Sequence, residues 1–327
     1  MKQKILIARA IFPEVVARLA QQFEVAANQE DRIYSAEELA GKAAGMDALL
    51  TTGSERIGAS LLAALPGLKA VCNMAVGFNN IDVDAATAAG VMVTNTPDVL
   101  NETTADFAWA LMMAAARRIT ESEQWLRAGK WDRWRYDMLL GADLHGSTLG
   151  IIGMGRIGQA VARRSTGFGM RVIYHNRTRL TPEQEAAANH ARLVGKDELL
   201  RNADHVMLVL PYSAATHHTI GATELALMKP GATLTNVARG GIVDDTALIA
   251  ALRERRIAAA GLDVFENEPA LNPGFLELQN VVLTPHIASA SKPTRLAMAN
   301  CAADNLIAAL SGHVPPNLLN PGVNKKD

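Results

Sequence analysis

The chain alternates short apolar runs with longer, alanine-rich stretches in which apolar residues recur at helical spacing. This rhythm predicts a βαβα order, which implies parallel sheets covered by helices. The short runs are apolar at successive positions, as in strands that are buried on both faces. In the first part of the chain we predict a helix after Pro13 and four strands, at Lys4–Ala8, Ala48–Thr51, Lys69–Met74 and Val91–Thr94.

The pattern changes near Thr96, where one long, continuous helix is predicted over Glu102–Arg118. Acidic residues at its start and arginines at its end complement the helix dipole. The strand pattern then restarts, and six strands in succession suit a complete doubly wound sheet. These predicted strands are Thr148–Ile152, Arg171–Tyr174, His205–Val209, Thr233–Asn236, Ala259–Leu262 and Val281–Leu283.

Composition narrows the class of protein. The apolar fraction of 49% with 20% charged residues is ordinary for a soluble globular protein, and a net charge of -1 provides no field for binding nucleic acid or anionic lipid. Pro13 and Glu14 interrupt the first apolar run, so it lacks the apolar core of a signal peptide, and no stretch approaches the roughly 20 apolar residues of a membrane helix. We predict a cytoplasmic protein with no nucleic-acid or membrane partner.

Cysteine usage excludes two further classes. Cys72 and Cys301 are the only cysteines, too few for a disulfide framework or a structural zinc site. Each is predicted to be a buried small hydrophobe in a reducing compartment. We predict no metal centre.

The predicted strand Thr148–Ile152 leads into a GxGxxG segment formed by Gly153, Gly155 and Gly158, followed by a predicted helix over Gln159–Arg164. In this context Gly153 permits the tight turn, Gly155 lets the backbone approach a pyrophosphate, and Gly158 allows close packing of helix on strand. The helix N-terminus, with Arg156 and Ile157, adds N–H donors. The sequence therefore predicts a dinucleotide site. A glycine-rich turn without a ligand is the alternative.

The end of the next predicted strand bears on the choice of cofactor. Sites that prefer NAD generally carry an acidic residue about 20 positions after the glycines. This chain instead has Asn176, Arg177, Thr178 and Arg179, with no carboxylate among them. Both arginines can bind a 2′-phosphate through paired donors, with Thr178 adding a hydroxyl. We predict a preference for NADPH, with NADH used less well. A solvated basic turn that tolerates either cofactor is the alternative.

Three polar residues follow later predicted strands, at the ends where open α/β sheets bind ligands: Arg239, Glu268 and His286. Reduction of a 2-keto acid needs a cation that binds the carboxylate and polarises the adjacent carbonyl, and arginine suits both tasks. The developing alkoxide needs a proton, which histidine can donate near neutral pH. A carboxylate on the other ring nitrogen would orient the imidazole and favour its protonated form. Taken singly, each could be a surface charge, a capping carboxylate or a structural histidine.

The chain resembles the D-isomer-specific 2-hydroxyacid dehydrogenase family, and within it the glyoxylate/hydroxypyruvate reductases and 2-ketogluconate reductases. The resemblance covers essentially the whole chain. It rests on the segments LGIIGMGRIGQAVA, NVARGGIVDDTALIAAL, AAGLDVFENEP and PHIASA. The two groups of reductases share these motifs, so the motifs do not separate a small substrate from 2-ketogluconate.

The resemblance implies roles for individual residues. Arg239 would bind the substrate carboxylate, His286 would donate the proton, and Glu268 would be its partner. Backbone N–H groups of Val76 and Gly77 would meet the same carboxylate, although a plain turn is the alternative there. The resemblance also places Ser289 near the substrate, and it places three residues at the cofactor: Thr104, Ala238 and Asp263.

Trp131 and Trp134 lie in an unusually aromatic and charged segment, in a chain with only 5% aromatic residues. Such clustering indicates an interface or a pocket wall. The resembled reductases are homodimers in which this region reaches the partner subunit, so the resemblance implies a homodimer with Trp134 contributing to a pocket. Ordinary core packing is the alternative.

With 327 residues the chain exceeds the size at which one core usually stops growing, so we expect two domains. The last predicted helix, Lys292–Leu310, follows the completed second sheet, and we expect it to return to the first domain. The predicted division is a smaller flavodoxin-like α/β substrate domain, residues 1–99 and 288–327, and a Rossmann-type domain with a doubly wound parallel sheet, residues 100–287, with a cleft between them.

The activity expected from these features is NADPH-dependent reduction of a small 2-keto acid, glyoxylate or hydroxypyruvate, with 2-ketogluconate as the alternative substrate. A second class of function stays open, because dinucleotide-sensing corepressors share the fold and can keep the Arg, Glu and His residues. Oxidation of phosphite or formate on a related fold is a third alternative.

Overall fold

The computed structural model describes residues 2–324, and these divide into two compact units. The first unit contains the described residues up to Leu100 and from Ser291 onward, and the second contains Asn101–Ala290. Each unit is built on a parallel sheet, with five strands in the first and seven in the second. The predicted α/β class, with two parallel sheets, is confirmed.

Within residues 2–324 the strands are short, and the central strands of each sheet are the most buried. In chain order they are β1 Lys4–Ile7, β2 Glu24–Ala27, β3 Ala48–Thr51, β4 Ala70–Asn73, β5 Met92–Thr94, β6 Thr148–Ile152, β7 Arg171–His175, β8 Arg192–Leu193, β9 His205–Leu208, β10 Thr233–Asn236, β11 Ala259–Leu262 and β12 Val281–Leu283.

The helices alternate with these strands along most of the chain. They are α1 Pro13–Ala20, α2 Ala36–Ala43, α3 Ala59–Ala63, α4 Val83–Ala88, α5 Asn101–Ala116, α6 Ile119–Arg127, α7 Arg156–Arg164, α8 Pro182–Ala187, α9 Lys196–Asn202, α10 Ala222–Leu227, α11 Asp245–Arg253 and α12 Lys292–Leu310.

The first sheet has the strand order β2-β1-β3-β4-β5. Successive residues of its strands point to opposite faces, so Ile5 and Ile7 join one core while Leu6 joins the other. Helices α1 and α12 cover the first face, and α2, α3 and α4 cover the second. The C-terminal helix therefore belongs to the sheet formed by the start of the chain.

The second sheet has the order β12-β11-β10-β9-β6-β7-β8. The chain leaves β6 toward β7 and β8 and then returns to the other side of β6 at β9, so the strand order reverses at β6. Open α/β sheets bind ligands at such a reversal, beyond the carboxyl ends of the strands. The glycine-rich turn after β6 lies at this position.

The prediction of six strands in the second sheet is wrong, because the sheet has seven strands and β8 was not predicted. In the first sheet, β2 was also not predicted. Both are edge strands with little apolar signal: β8 has two residues, and β2 reads Glu-Val-Ala-Ala with none of its residues buried. Their pairing comes from backbone hydrogen bonds to a neighbouring strand, which a hydrophobic pattern does not show.

The predicted continuous helix Glu102–Arg118 is interrupted before its end. Helix α5 stops at Ala116, and Arg118 takes a left-handed backbone conformation with φ of +54° before α6 begins. The Arg118 guanidinium forms a two-point ion pair with Glu121 and donates to the carbonyl of Leu140. Arg118 thus stabilises the junction between the two helices rather than the last turn of α5.

The boundary between the units also differs slightly from the predicted one. Residues 288–290, placed with the first domain by the sequence, group with the second unit. The backbone N–H of Ala288 donates to the Asp263 carboxylate at 2.8 Å, which holds this segment on the second sheet.

The two cysteines have different environments. Cys72 is fully buried in β4, where burial raises the pKa of its thiol to about 12. Cys301 is only half-buried on α12, and its sulfur accepts a hydrogen bond from Asn317. The prediction of a buried small hydrophobe is therefore confirmed for Cys72 alone.

Across residues 2–324, each helix is too short or too polar to cross a membrane.

His205, at the start of β9, is fully buried in the second unit. Its two ring nitrogens contact the Thr233 hydroxyl at 2.8 Å and the Asp143 carbonyl at 3.1 Å. Burial lowers the pKa of His205, although the Asp143 carbonyl and the Asp204 charge oppose that effect. Folding therefore favours the neutral imidazole of His205.

We expect this histidine to make stability depend on pH. Because its pKa is lower in the folded state than the unfolded value of about 6.5, the folded protein loses stability as pH falls below that value, by at most about 1.4 kcal/mol per pH unit. His205→Asn removes the titrating group, so its Tm should approach that of the wild type as pH falls from 7.5 to 5. Parallel Tm curves would contradict this assignment.

Candidate active site

Two of the three glycines after β6 are required by close backbone packing. Gly153 has φ of +99°, and a Cβ there would lie 2.7 Å from the backbone of Val209 and Leu210. A Cβ on Gly158 would lie 2.3 Å from the Gly153 carbonyl oxygen. These contacts hold the start of α7 directly against the turn, so a side chain at either position would force the helix away from the sheet.

Gly155 differs from the other two, because a Cβ there would meet no protein atom within 4 Å. It is the N-cap of α7 and supplies no side-chain cap to the helix. The first N–H groups of a helix make no hydrogen bond within the helix, and in α7 these groups include the N–H of Ile157. Open space beside N–H donors fits a dinucleotide pyrophosphate. This turn and the first residues of α7 would hold that group.

The turn after β7 is predicted to bind the adenosine end of the cofactor. The Asn176 side chain donates to the Thr178 carbonyl at 2.9 Å, which closes the turn. Arg177 is exposed, and among residues 2–324 no carboxylate lies within ion-pair distance of it. The structure thus leaves Arg177 available to an anionic ligand.

Arg179 behaves differently from the prediction. Its guanidinium donates twice to Glu185, at 3.0 and 3.1 Å, and Glu185 raises the pKa of Arg179 further. Glu185 also accepts the hydroxyl of the buried Tyr174 at 2.8 Å, and that hydroxyl accepts the Leu180 N–H. Arg179 is therefore part of a hydrogen-bonded anchor for the turn, and its paired donors face α8.

Arg239 lies in a turn after β10 that the Asn236 side chain organises. The Asn236 amide accepts the Ala238 N–H at 3.0 Å and donates to the Arg239 carbonyl at 3.2 Å. The next residue, Gly240, packs so closely that a Cβ would lie 1.7 Å from the Phe265 carbonyl oxygen. Burial lowers the pKa of Arg239 and the charge of Glu268 opposes this. The group stays cationic at neutral pH, as arginine does in proteins.

Glu268 and His286 form a hydrogen-bonded pair in the second unit. The His286 Nδ1 and a Glu268 carboxylate oxygen are 2.8 Å apart, and the other oxygen accepts the Phe265 N–H at 2.8 Å. Burial alone would raise the pKa of Glu268, but the hydrogen bond and charge of His286, the Phe265 N–H and the charge of Arg239 together lower it. Glu268 is therefore an anion at neutral pH, and Nε2 is left as the outer ring nitrogen.

The backbone position of His286 depends on Asp263, which is fully buried. Its carboxylate accepts the Thr284 hydroxyl at 2.7 Å and the N–H groups of Ile287 and Ala288 at 2.8 Å each. Burial raises the pKa of Asp263 in spite of these bonds. His286 itself has φ of +54°, so Asp263 holds a strained segment in place. Direct contact of Asp263 with a cofactor stays a prediction.

The Val76–Gly77 turn belongs to the first unit and follows β4. Its carbonyl groups are held by asparagine side chains, since Asn95 donates to Val76 O at 2.9 Å and Asn73 donates to Gly77 O at 3.0 Å. Within residues 2–324 the N–H groups of these two residues have no backbone or side-chain acceptor. Two unpaired N–H groups on a half-exposed turn can bind an anion.

The remaining predicted residues occupy three kinds of position. Thr104 is buried on α5 and Ala238 is buried in the Arg239 turn. Ser289 is half-buried in the segment after His286. Trp134 has 74% of its surface exposed, so ordinary core packing does not explain it.

Three asparagines that support the candidate site residues are not predicted from the sequence. Asn73 and Asn95 hold the Val76–Gly77 turn, and Asn236 holds the Arg239 turn. Each follows or ends a buried strand, where asparagine is otherwise unfavourable. Asparagine at the carboxyl end of a predicted parallel strand is the signal that could have indicated them.

A glycine turn at the strand reversal, with an arginine, a glutamate and a histidine in the same unit, defines a dinucleotide-dependent oxidoreductase. The family model for the NAD-binding domain of D-isomer specific 2-hydroxyacid dehydrogenases matches residues 109–288. A glyoxylate reductase of Thermococcus gammatolerans is 50% identical over 99% of this chain and 98% of its own length. The chain belongs to the D-isomer specific 2-hydroxyacid dehydrogenase family, and it is an NAD(P)-dependent oxidoreductase.

Solved structures agree with this assignment. An NADPH-dependent glyoxylate/hydroxypyruvate reductase from Sinorhizobium meliloti, in complex with NADP and malonate, is 36% identical with a TM-score of 0.87, covering 98% of this chain and 97% of that one. The TT0316 protein of Thermus thermophilus is 41% identical with a TM-score of 0.90, covering 97% of this chain and 100% of that one. The resemblance predicted from the motifs is confirmed.

Proposed function

We propose that the protein reduces glyoxylate and hydroxypyruvate to the corresponding 2-hydroxy acids, with His286 as proton donor. The observation that carries this proposal is the 2.8 Å contact between Nδ1 of His286 and the anionic carboxylate of Glu268. The positive charge of Arg239 also acts on the Glu268 carboxylate. The names of the relatives support the small substrates over 2-ketogluconate.

Arg239 would bind the substrate carboxylate. Its paired N–H donors match the two oxygens of a carboxylate, and its charge draws electron density from the adjacent keto carbon. The N–H groups of Val76 and Gly77 would donate to the same carboxylate. Asn236 fixes the backbone turn that carries Arg239 in the second unit, and Asn95 and Asn73 bind the carbonyl groups of Val76 and Gly77 in the first unit.

His286 would complete the reaction by protonating the new oxygen. The glycine turn and the first residues of α7 would hold the pyrophosphate of a reduced nicotinamide dinucleotide, which would supply the hydride for the keto carbon. As negative charge develops on the substrate oxygen, Nε2 of His286 donates its proton. Glu268 accepts from Nδ1, so the imidazolium is stabilised and the ring keeps one orientation.

A steady-state matrix tests this function, with NADPH or NADH against glyoxylate, hydroxypyruvate, pyruvate and 2-ketogluconate. We expect the highest kcat/KM with glyoxylate or hydroxypyruvate. His286→Ala should lower kcat by about 100- to 10,000-fold, because one general acid contributes that much. Glu268→Gln should lower it less, because the Gln side-chain oxygen can still accept a hydrogen bond from Nδ1 of His286 while the anionic charge is lost.

Other results would change the assignment. A strong preference for 2-ketogluconate would keep the mechanism and replace the substrate. Near-normal kcat in His286→Ala would remove His286 as the acid. Cofactor binding without turnover of any substrate would instead support a dinucleotide sensor.

We also propose that NADPH is preferred over NADH and that Arg177 binds the 2′-phosphate, with Thr178 beside it. The absence of a carboxylate in residues 176–179 supports this, as does the exposure of Arg177. Asn176 would keep the turn closed through its bond to Thr178. Arg179 would act on the phosphate only through the shape of the turn, because Glu185 occupies its donors.

Arg177→Ala should therefore raise the Kd for NADPH by about 10- to 100-fold and leave the Kd for NADH nearly unchanged. A loss of that size is expected when hydrogen bonds between charged groups are removed. Arg179→Ala should have a smaller effect. Arg192→Ala is a matched control, because Arg192 lies on the neighbouring strand β8 and is paired with Glu198 of helix α9. Equal losses for both cofactors in Arg177→Ala would contradict the assignment. Isothermal titration with each cofactor measures these constants.

The protein is further proposed to be a cytoplasmic homodimer. The segment around residues 119–140 exposes several large apolar side chains, a composition typical of an interface. They are Ile119, Leu126, Trp131, Trp134, Tyr136 and Leu140. A partner subunit would cover this surface.

We expect light scattering to give the molar mass of a dimer for the wild type. Trp134→Ala should weaken the dimer or raise KM for the keto acid, because it removes a large exposed aromatic side chain from the proposed interface. Ile33→Ala is a control, since Ile33 is also exposed but lies in the first unit. An unchanged dimer and unchanged KM in Trp134→Ala would exclude both roles for this residue.

A further inference from the structure

A cluster of two histidines and a glutamate lies in the second unit, outside the Arg239, Glu268 and His286 set. It consists of His217 and His218, in the segment between β9 and α10, and Glu266, which follows β11. One potential ligand atom from each residue lies within 4.8 Å of the other two. His218 Nε2 is 2.6 Å from a Glu266 carboxylate oxygen. The proposed reaction uses none of the three.

The two imidazoles are held side by side. Their ring centroids are 3.8 Å apart, with 23° between the planes. Adjacent residues do not normally place their side chains together, and here the left-handed backbone of His218, with φ of +49°, allows it. The His218 N–H donates to the Gly241 carbonyl at 2.7 Å, which holds this conformation.

The outer ring nitrogens face other polar groups. His217 Nδ1 is 3.2 Å from the Tyr212 hydroxyl, and His218 Nδ1 faces the Asp244 carboxylate at 4.0 Å. Histidines that bind metals usually have such a partner on the nitrogen that does not bind, because it fixes the ring and its tautomer. On His217 the nitrogen without the Tyr212 contact is Nε2, and on His218 the nitrogen beside Glu266 is Nε2, so a shared cation would replace the hydrogen bond between His218 and Glu266.

We propose that His217, His218 and Glu266 form a binding site for a zinc-class divalent cation. Two neutral imidazoles with one carboxylate are a ligand set that suits Zn²⁺ and leaves a fourth position for water. Mg²⁺ and Ca²⁺ prefer all-oxygen sites and should not compete. The sequence predicts no metal centre because its cysteines are too few, and the position of Glu266, 48 residues beyond His218 along the chain, hides this cluster from any spacing rule.

The cluster is in contact with the turn that follows Arg239. A Cβ on Gly241 would lie 2.9 Å from the Tyr212 ring and 3.4 Å from His217 Nδ1, while Gly240 packs on the Phe265–Glu266 backbone. His217 packs on this turn at Gly241, and the backbone of Glu266 packs on it at Gly240. A cation bound by both residues would therefore link the segments that hold the turn on either side. Because it binds the folded state, occupancy should raise the Tm in proportion to the logarithm of zinc concentration once the site is saturated.

Binding of Zn²⁺ to tag-free protein, by isothermal titration in metal-free buffer, tests the proposal. We expect one ion per chain in the wild type, and at least about a tenfold loss of affinity in His217→Ala and in His218→Ala. His313→Ala is the matched control, an exposed histidine in the first unit, and should bind as the wild type does. His286→Ala should also keep its affinity, which separates this cluster from the Glu268 and His286 pair.

Co²⁺ gives a second readout that does not depend on activity. Visible absorption bands of four-coordinate Co²⁺ should appear with the wild type and be absent with the His217→Ala, His218→Ala double variant, while 10 mM-scale Mg²⁺, roughly a thousandfold excess, leaves them unchanged. Metal-free Tm values identify any variant that fails to fold. Zinc affinity that is undetectable in the wild type, or equal in the wild type and the double variant, overturns the proposal.

Discussion

The buried carboxylate of Asp263 is the constraint on which the candidate active site depends. A carboxylate without water is costly unless hydrogen bonds replace its hydration, and Asp263 receives three from the segment that carries His286. Those bonds keep His286 in a left-handed conformation that few residues adopt. The imidazole then meets Glu268, which itself is fixed by the Phe265 N–H. The Glu268–His286 pair is therefore positioned by backbone contacts within the protein.

The same design recurs at the turns that carry Arg239 and Val76–Gly77. Asn236 orders the turn of Arg239, and Asn73 and Asn95 turn the carbonyls of Val76 and Gly77 toward protein donors. In each case a side-chain amide at the carboxyl end of a sheet determines which backbone groups stay available. Short parallel strands make this possible, since they deliver several chain segments to one sheet edge.

Most of the fold could be predicted because buried parallel strands leave a continuous apolar signal. Five of the predicted strands, including Ala48–Thr51 and Thr233–Asn236, have the observed bounds, and so does the helix Lys292–Leu310. The edge strands β2 and β8 were not predicted because they bury few apolar side chains. The break at Arg118 was not predicted because a single left-handed residue does not change the spacing of apolar residues.

The site was predictable only where chemistry and local motif coincide. The glycine turn, Arg239, Glu268 and His286 each follow a strand in a recognisable pattern, and the structure brings Glu268 and His286 into contact. The partner of Arg179 was not predictable, since Glu185 lies on the next helix and its orientation depends on the buried Tyr174. Likewise, no pattern along the chain joins His218 to Glu266 across 48 residues.

The first sheet has a consequence for synthesis on the ribosome. One of its faces is covered by α12, whose Ala299, Ala302 and Leu306 pack with Ile5 and Ile7 from β1. Those partners are nearly 300 residues apart in the chain. The inserted second unit can complete its sheet while translation continues, but the earlier strands keep an apolar face uncovered until the C-terminal helix emerges. Completion of the first unit therefore waits for the last helix of the chain, although its strands are the first part to be synthesised.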